Sequence, residues 1–234
     1  MPLTSYLLAH PNAEVSDRDR QTICNWTRLT EQLMHEHRLT KHPIAVVYNA
    51  VEPTTVGPGF ADRRDELVYM GTFMPYKNVE LLARTMHELP GYRLHLLSAI
   101  SDADRERLVG LAPADALVVH GGVTDAEYRA ALDGARALIT ASRAEGFGLP
   151  LIEAMAAGTP VIATDLPVFR EVGADAIHYI DPDSTSSVVA AVRALESEVE
   201  WTRSRDRGLE ESERFRWDSS AEVLLEALTA AVSR

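Results

Sequence analysis

The stretch ALITASRAEGFGLPLIEAMAAGTPVIAT, residues 137–164, reads as strand, turn, helix, turn, strand. Two short apolar runs, 137–140 and 161–164, enclose a segment in which Gly146 and Gly148 let the backbone turn sharply and a helix begins near Leu149 or Pro150. Gly158 reads as a helix C-terminal residue, with Thr159 and Pro160 leading into the second run. The same signal recurs along the chain. Apolar runs at 67–71, 94–98, 116–120 and 176–180 alternate with helix starts, which is the pattern of βα units and a doubly wound parallel sheet. Asn78 is placed to cap a helix whose Val79, Leu82, Met86 and Leu89 share a face before Pro90 and Gly91. Ser101 with Asp104, and Thr124 with Glu127, have capping-box spacing.

Outside this repeat the sequence is less regular. Residues 1–42 read as a polar segment followed by a helix in which Ile23, Trp26, Leu29 and Leu33 share a face, too short for a domain. A seventh apolar run, 44–48, reads as a strand leading into the Pro- and Gly-rich loop 49–65. The C-terminal 50 residues carry two or three helical patterns, with Trp217 expected to pack the last of them onto the core.

Composition narrows the function. The 234 residues are 46% hydrophobic, enough for a buried core, and the net charge of -12 with no basic stripe argues against a nucleic-acid partner. The single cysteine, Cys24, forms no internal disulfide, and no apolar run reaches the roughly 20 residues that span a bilayer. A cytoplasmic location is the expectation, with peripheral membrane contact left open. Asp102 with Asp104 and Asp181 with Asp183 sit at helix starts and turns, and His35 with His37 points two ways on a helix, so no metal site is expected. Gly146–Phe147–Gly148 fails as a dinucleotide fingerprint because Leu151 stands at the third glycine position.

In an open parallel sheet, ligands bind where strand C-ends meet helix N-termini. The turn 145–149 lies at such a place, and its glycines with the following helix N-terminus make an anion cradle suited to phosphate. Carboxylates beside a phosphate make sense when the ligand also carries hydroxyl donors. Glu145 before the helix and Glu153, expected in its first turn, would each grip a diol, one at the sugar end and one at the nucleoside end of a diphosphate. The alternative is a solvated loop carboxylate and an ordinary helix-start glutamate.

Glu145–Gly146–Phe147–Gly148–Leu149–Pro150–Leu151–Ile152–Glu153, followed by Ala154–Met155–Ala156–Ala157–Gly158–Thr159–Pro160–Val161, resembles the paired-glutamate signature of the retaining nucleotide-sugar glycosyltransferases of family 4, which have the GT-B fold. Tyr69–Met70–Gly71–Thr72–Phe73 with Pro75–Tyr76–Lys77–Asn78, His120–Gly121–Gly122–Val123 and Phe215–Arg216–Trp217 extend the resemblance over residues 44 to about 230.

It implies a Rossmann-like α/β donor domain over 43–234, the C-terminal half of such an enzyme, with 1–42 as the remnant of an acceptor domain. By the resemblance Glu145 contacts the donor sugar and Glu153 the ribose. Gly146, Phe147, Gly148 and Leu149 offer backbone groups, Lys77 neutralises the diphosphate, Val123 meets the base, and Gly71 and Thr72 belong to the donor loop. Glu145 and Lys77 are the catalytic candidates. His120 reads either as a strand-end residue or as lining of the base pocket. Where the family commonly adds an arginine in the loop after the first sheet strand, this sequence has Thr72 and Tyr76, so Lys77 is the loop's cation.

The implied activity is retaining transfer of a sugar from a nucleoside-diphosphate sugar to an unknown acceptor, without a cofactor. A non-catalytic binding module and a nucleotide-sugar epimerase are the alternatives. The first glycine of the chain is Gly57, so no glycine-rich acceptor loop precedes the donor domain, and a second chain or a further N-terminal domain is the expected partner.

Overall fold

The computed structural model of the chain describes residues 45–232. The expected helix bearing Ile23, Trp26, Leu29 and Leu33, and the His35 and His37 pair, lie outside the described residues.

Six strands form one parallel sheet: β1 (Arg64–Tyr69), β2 (Arg93–Leu96), β3 (Leu117–Val119), β4 (Ala135–Thr140), β5 (Val161–Thr164) and β6 (Ile177–Ile180), in the order β3-β2-β1-β4-β5-β6. Helices α1 (Val79–Thr85), α2 (Asp102–Val109), α3 (Asp125–Gly134), α4 (Leu149–Ala156) and α5 (Pro167–Gly173) make the crossovers. Three more, α6 (Thr185–Ala194), α7 (Glu198–Ser212) and α8 (Trp217–Val232), follow β6. This is the expected Rossmann-like α/β fold, and each of the six strands expected after residue 66 is present within a few residues of its expected bounds.

Alternation along the strands sends side chains to two cores. Leu67, Leu94, Leu96, Ile139 and Ile162 pack with Leu82 of α1, Leu108 of α2 and Val192 of α6. Val68, Leu138, Val161 and Ala163 pack on the other face with Leu132 of α3, Ile152 and Met155 of α4 and Phe169 of α5. Helices therefore cover both faces, as a sheet of buried parallel strands requires. The long helix α7 lies against α4 where Gly208 permits it, since a Cβ there would stand 3.2 Å from Met155 Cγ.

Four local expectations need correction. Residues 45–48 form no strand. Ser220 Oγ donates to Tyr48 O at 2.9 Å, and the Tyr48 ring packs on Phe147 and Phe215 instead of joining a ladder. Trp217 is 53% exposed; the buried aromatic is Phe215, whose carbonyl accepts the Val51 N–H, and that pairing turns Trp217 outward at the start of α8. Asn78 adopts a left-handed conformation (φ 54°) and makes no side-chain cap, because its amide donates to Pro182 O at 2.8 Å. Of the two capping boxes, Thr124 with Glu127 is complete, whereas Ser101 Oγ accepts the Asp104 N–H but turns its own proton to the Asp104 carboxylate.

Candidate active site

The strand order reverses between β1 and β4, so the loops leaving their C-terminal ends diverge and open a crevice there. The loop after β1 carries Lys77 at the end of a short 3-10 turn, Pro75–Lys77; the loop after β4 carries Glu145. The two side chains form an ion pair across the crevice, both mostly buried. Ser142 Oγ donates to the same carboxylate oxygen, Glu145 Oε1, at 3.2 Å. The backbones are joined as well, since the Arg143 N–H donates to Tyr76 O at 2.7 Å. A third loop, after β6, completes this wall: Pro182 O accepts from Asn78 and from the Arg143 guanidinium, which also pairs with Asp183. Arg143 and Asn78 thus tie three loops together, a role that the sequence alone does not signal because both residue types are common in solvated turns.

Gly148 caps α4 in the left-handed region, φ 95°, where a Cβ would come within 2.8 Å of Phe169 Cε1. That conformation turns the chain into α4 without a side-chain cap. Among the described residues, the N–H groups of Gly146, Phe147 and Gly148 meet no protein acceptor, and a Cβ at Gly146 would touch nothing within 4 Å. The Phe147 ring faces away from this space, against Tyr48 and Phe215 at 6.1 and 5.8 Å between centroids. The result is an open peptide surface at a helix N-terminus, with positive dipole and free donors.

Glu153 lies one turn deeper than expected, in the second turn of α4, because the helix begins at Leu149. Its carboxyl is held above the ordinary carboxylate range chiefly by burial; the neighbouring Tyr128 hydroxyl offsets part of this and Asp125 adds to it. Tyr128 Oη is itself buried and reaches no hydrogen-bond partner, so it stands beside Glu153 without an aligned bond. A raised folded-state value means that the folded chain binds the proton more tightly than the unfolded one. Stability is then lost as pH rises through that value. Glu153→Gln is therefore expected to stabilise the ligand-free chain at pH 7 and to have little effect below about pH 4. Urea unfolding at the two pH values measures this; equal effects at both would remove the burial argument.

Gly71, at φ 156°, gives its N–H to Ser98 Oγ at 3.1 Å, and Thr72 accepts the Tyr69 hydroxyl on its carbonyl at 2.6 Å, so both fix the loop through the backbone. His120 follows β3 and stacks on His95, with a 3.2 Å contact between ring nitrogens, and burial pushes His95 below the usual histidine range. Val123 is half-buried against the second core, and Leu149 is partly exposed at the mouth of α4. Among the described residues no group of three or more His, Cys, Asp or Glu is arranged to hold a metal ion, and no helix is long and apolar enough to cross a membrane.

Comparison with known proteins places this site in context. The family model "Glycosyl transferases group 1" matches residues 55–208, which include the whole crevice. An O-antigen chain mannosyltransferase of Salmonella typhimurium is 28% identical over 173 residues, covering 71% of this chain and 48% of that protein. A phosphatidyl-myo-inositol mannosyltransferase of Mycobacterium leprae is 35% identical over 137 residues, 55% of this chain and 36% of that one. Among solved structures, a sucrose-phosphate synthase from Thermosynechococcus elongatus superposes with a TM-score of 0.72 at 23% identity, over 87% of this chain and 56% of that one. The chain spans about half the length of the first of these relatives.

Proposed function

The chain belongs to the group 1 glycosyl transferases, and from that premise we propose that it supplies the donor site for transfer of a hexose, with mannose the first choice, from a nucleoside-diphosphate sugar to an acceptor hydroxyl, with retention at the sugar carbon. The observation that carries the reading is the meeting of Lys77 and Glu145 across the switch point, above the open N-terminus of α4. In transfer, the bond from the sugar carbon to the diphosphate oxygen breaks, a bond to the acceptor oxygen forms as that hydroxyl gives its proton to the departing phosphate oxygen, and negative charge builds on the nucleoside diphosphate as it leaves. Lys77 and the free N–H groups of Gly146 to Gly148 are the groups suited to that charge. Glu145 is suited to sugar hydroxyls, and the deeper Glu153 to the ribose diol. Retention and the mannosyl preference come from the family and its named relatives. The relatives' greater length supports a second reading, in which the chain binds donor but transfers only together with a further domain or subunit.

A thermal-shift panel of UDP-, GDP-, ADP- and TDP-sugars tests the donor role, since a ligand that binds only the folded state stabilises it by about 2.7 kcal/mol at 100 times its Kd. GDP-mannose is expected to give the largest rise in Tm. No shift with any nucleotide sugar would overturn the reading, and product analysis then separates a new glycoside from an unchanged or isomerised donor. Glu153→Gln, although stabilising without ligand, is expected to weaken binding by roughly 10- to 100-fold, the size of a hydrogen bond to a charged acceptor.

A further inference from the structure

Both hydrogen-bonding contacts of Glu145 among the described residues fall on Oε1: Lys77 Nζ and Ser142 Oγ. Oε2 is left as the carboxylate's free acceptor. Ser142 is fully buried, an unusual setting for a serine two residues past a strand end, and its hydroxyl lies 3.1 Å from Thr140 Oγ1, which is also buried. Ser142 has one proton and gives it to Glu145, so Thr140 must be the donor to Ser142. The hydroxyl protons thus run in one direction, from β4 to the carboxylate, and each donor polarises the next.

Lys77 does not fix the carboxylate by itself. An ammonium group offers three donors on a flexible stem, and a diphosphate entering the crevice would compete for it. When that happens, Ser142 is the contact that remains on Oε1.

We propose that Ser142, aligned by Thr140, is the positioning residue for Glu145: it pins Oε1 while Lys77 engages the diphosphate, and so keeps Oε2 directed to a donor-sugar hydroxyl. This rests on the donor-site reading above and adds to it a residue that does not itself touch the ligand. The consequence is specific to the sugar. Loss of Ser142 releases Glu145 without altering Lys77, Glu153 or the helix N-terminus, which hold the nucleotide.

The test is calorimetric titration of the 234-residue chain with GDP and with GDP-mannose, and in parallel with UDP and UDP-galactose, so that the affinity gained from the sugar is measured apart from that of the nucleotide. Ser142→Ala is expected to leave nucleoside-diphosphate affinity within about twofold and to lower the sugar-dependent gain by about tenfold, the loss of one charge-assisted hydrogen bond. Ser142→Cys, close in size with a weaker donor, gives a smaller loss in the same direction and carries the test should the alanine variant not fold. In a Glu145→Ala background the Ser142 change is expected to have no further effect. An unchanged sugar gain in both Ser142 variants, or an equal loss for nucleotide and nucleotide sugar, overturns the positioning role while the donor site stands. Wild-type chain that binds none of the four ligands, nor any ADP- or TDP-sugar of the thermal-shift panel, overturns both.

Discussion

Replacing Arg63 by alanine is expected to lower the unfolding free energy by about 3 to 5 kcal/mol, a large part of what a single domain possesses. The residue is 5% exposed, immediately before β1, and among the described residues no carboxylate is bonded to it. Its guanidinium donates instead to Pro58 O, Leu132 O, Ala135 O, Gly158 O and Thr159 Oγ1, at 2.6 to 3.2 Å, and lies 5.0 Å from the Trp201 ring centre. Leu132 is in the last turn of α3, and Gly158 follows the end of α4, so one cation satisfies carbonyls at the negative ends of two helices. Burial pushes the Arg63 pKa down to about 10, with Asp133 opposing the shift, and the group is still charged at neutral pH. Alanine would take a donor from each of these acceptors, although Leu132 O keeps the Thr159 hydroxyl and the Ala135 N–H, and would leave Trp201 with a gap. Lysine should recover less than half of the loss, because an ammonium group cannot reproduce a planar fork aimed at five acceptors. Urea unfolding measures both variants, and a loss below about 1 kcal/mol would contradict the account. Helix C-termini lie at the opposite end of the sheet from the crevice, so the nucleotide affinity of folded molecules should be unchanged.

Arg63 also marks the limit of what could be read from the residues in order. The strands were legible because parallel strands buried on both faces are continuous apolar runs, as in 137–140 and 161–164, and the Thr124 capping box was legible because both partners lie within one turn. The start of β1 was not. Arg64 and Asp65 fall in the expected loop 49–65 and Glu66 ahead of the expected run 67–71, but Glu66 is buried between Arg64 and Arg93, and pairing hides its burial from any hydropathy pattern. Asn78 has the residue type and position of a cap, yet a carbonyl 104 positions away takes its amide. Ser142 is fully buried, which nothing in its neighbouring residues signals. At the crevice, the glutamates and glycines could be found from spacing, whereas the three-loop tie and the hydroxyl relay depend on contacts between distant segments.

Lys77→Met is expected to weaken nucleoside-diphosphate binding by about 100-fold, near 2.7 kcal/mol, and to leave binding of the nucleoside alone unchanged. Lys77 is held by Glu145, by the loop backbone through its N–H to Met74 O, and over the Tyr76 ring at 5.3 Å, so its ammonium group is already at the crevice when ligand arrives. A diphosphate carries more charge than the carboxylate and meets the N-terminus of α4 at the same time, so it is the stronger partner for the cation. On the proposed donor reading, Glu145 is then a competitor for Lys77 as well as a contact for the sugar. The two residues should respond with opposite signs toward the bare nucleotide: Lys77→Met weakens GDP or UDP, whereas Glu145→Gln leaves them unchanged or tighter while removing the extra affinity of the sugar-bearing forms. Damage to the crevice as a whole would weaken every ligand in both variants, so the signs distinguish a charge effect from a structural one. Raising the salt concentration should reduce wild-type affinity for the diphosphate more than that of Lys77→Met, because only the wild type brings the lysine charge to the contact. Equal weakening of nucleoside and nucleoside diphosphate by Lys77→Met would remove this lysine from the phosphate site and, with it, the assignment of departing charge on which the proposed transfer depends.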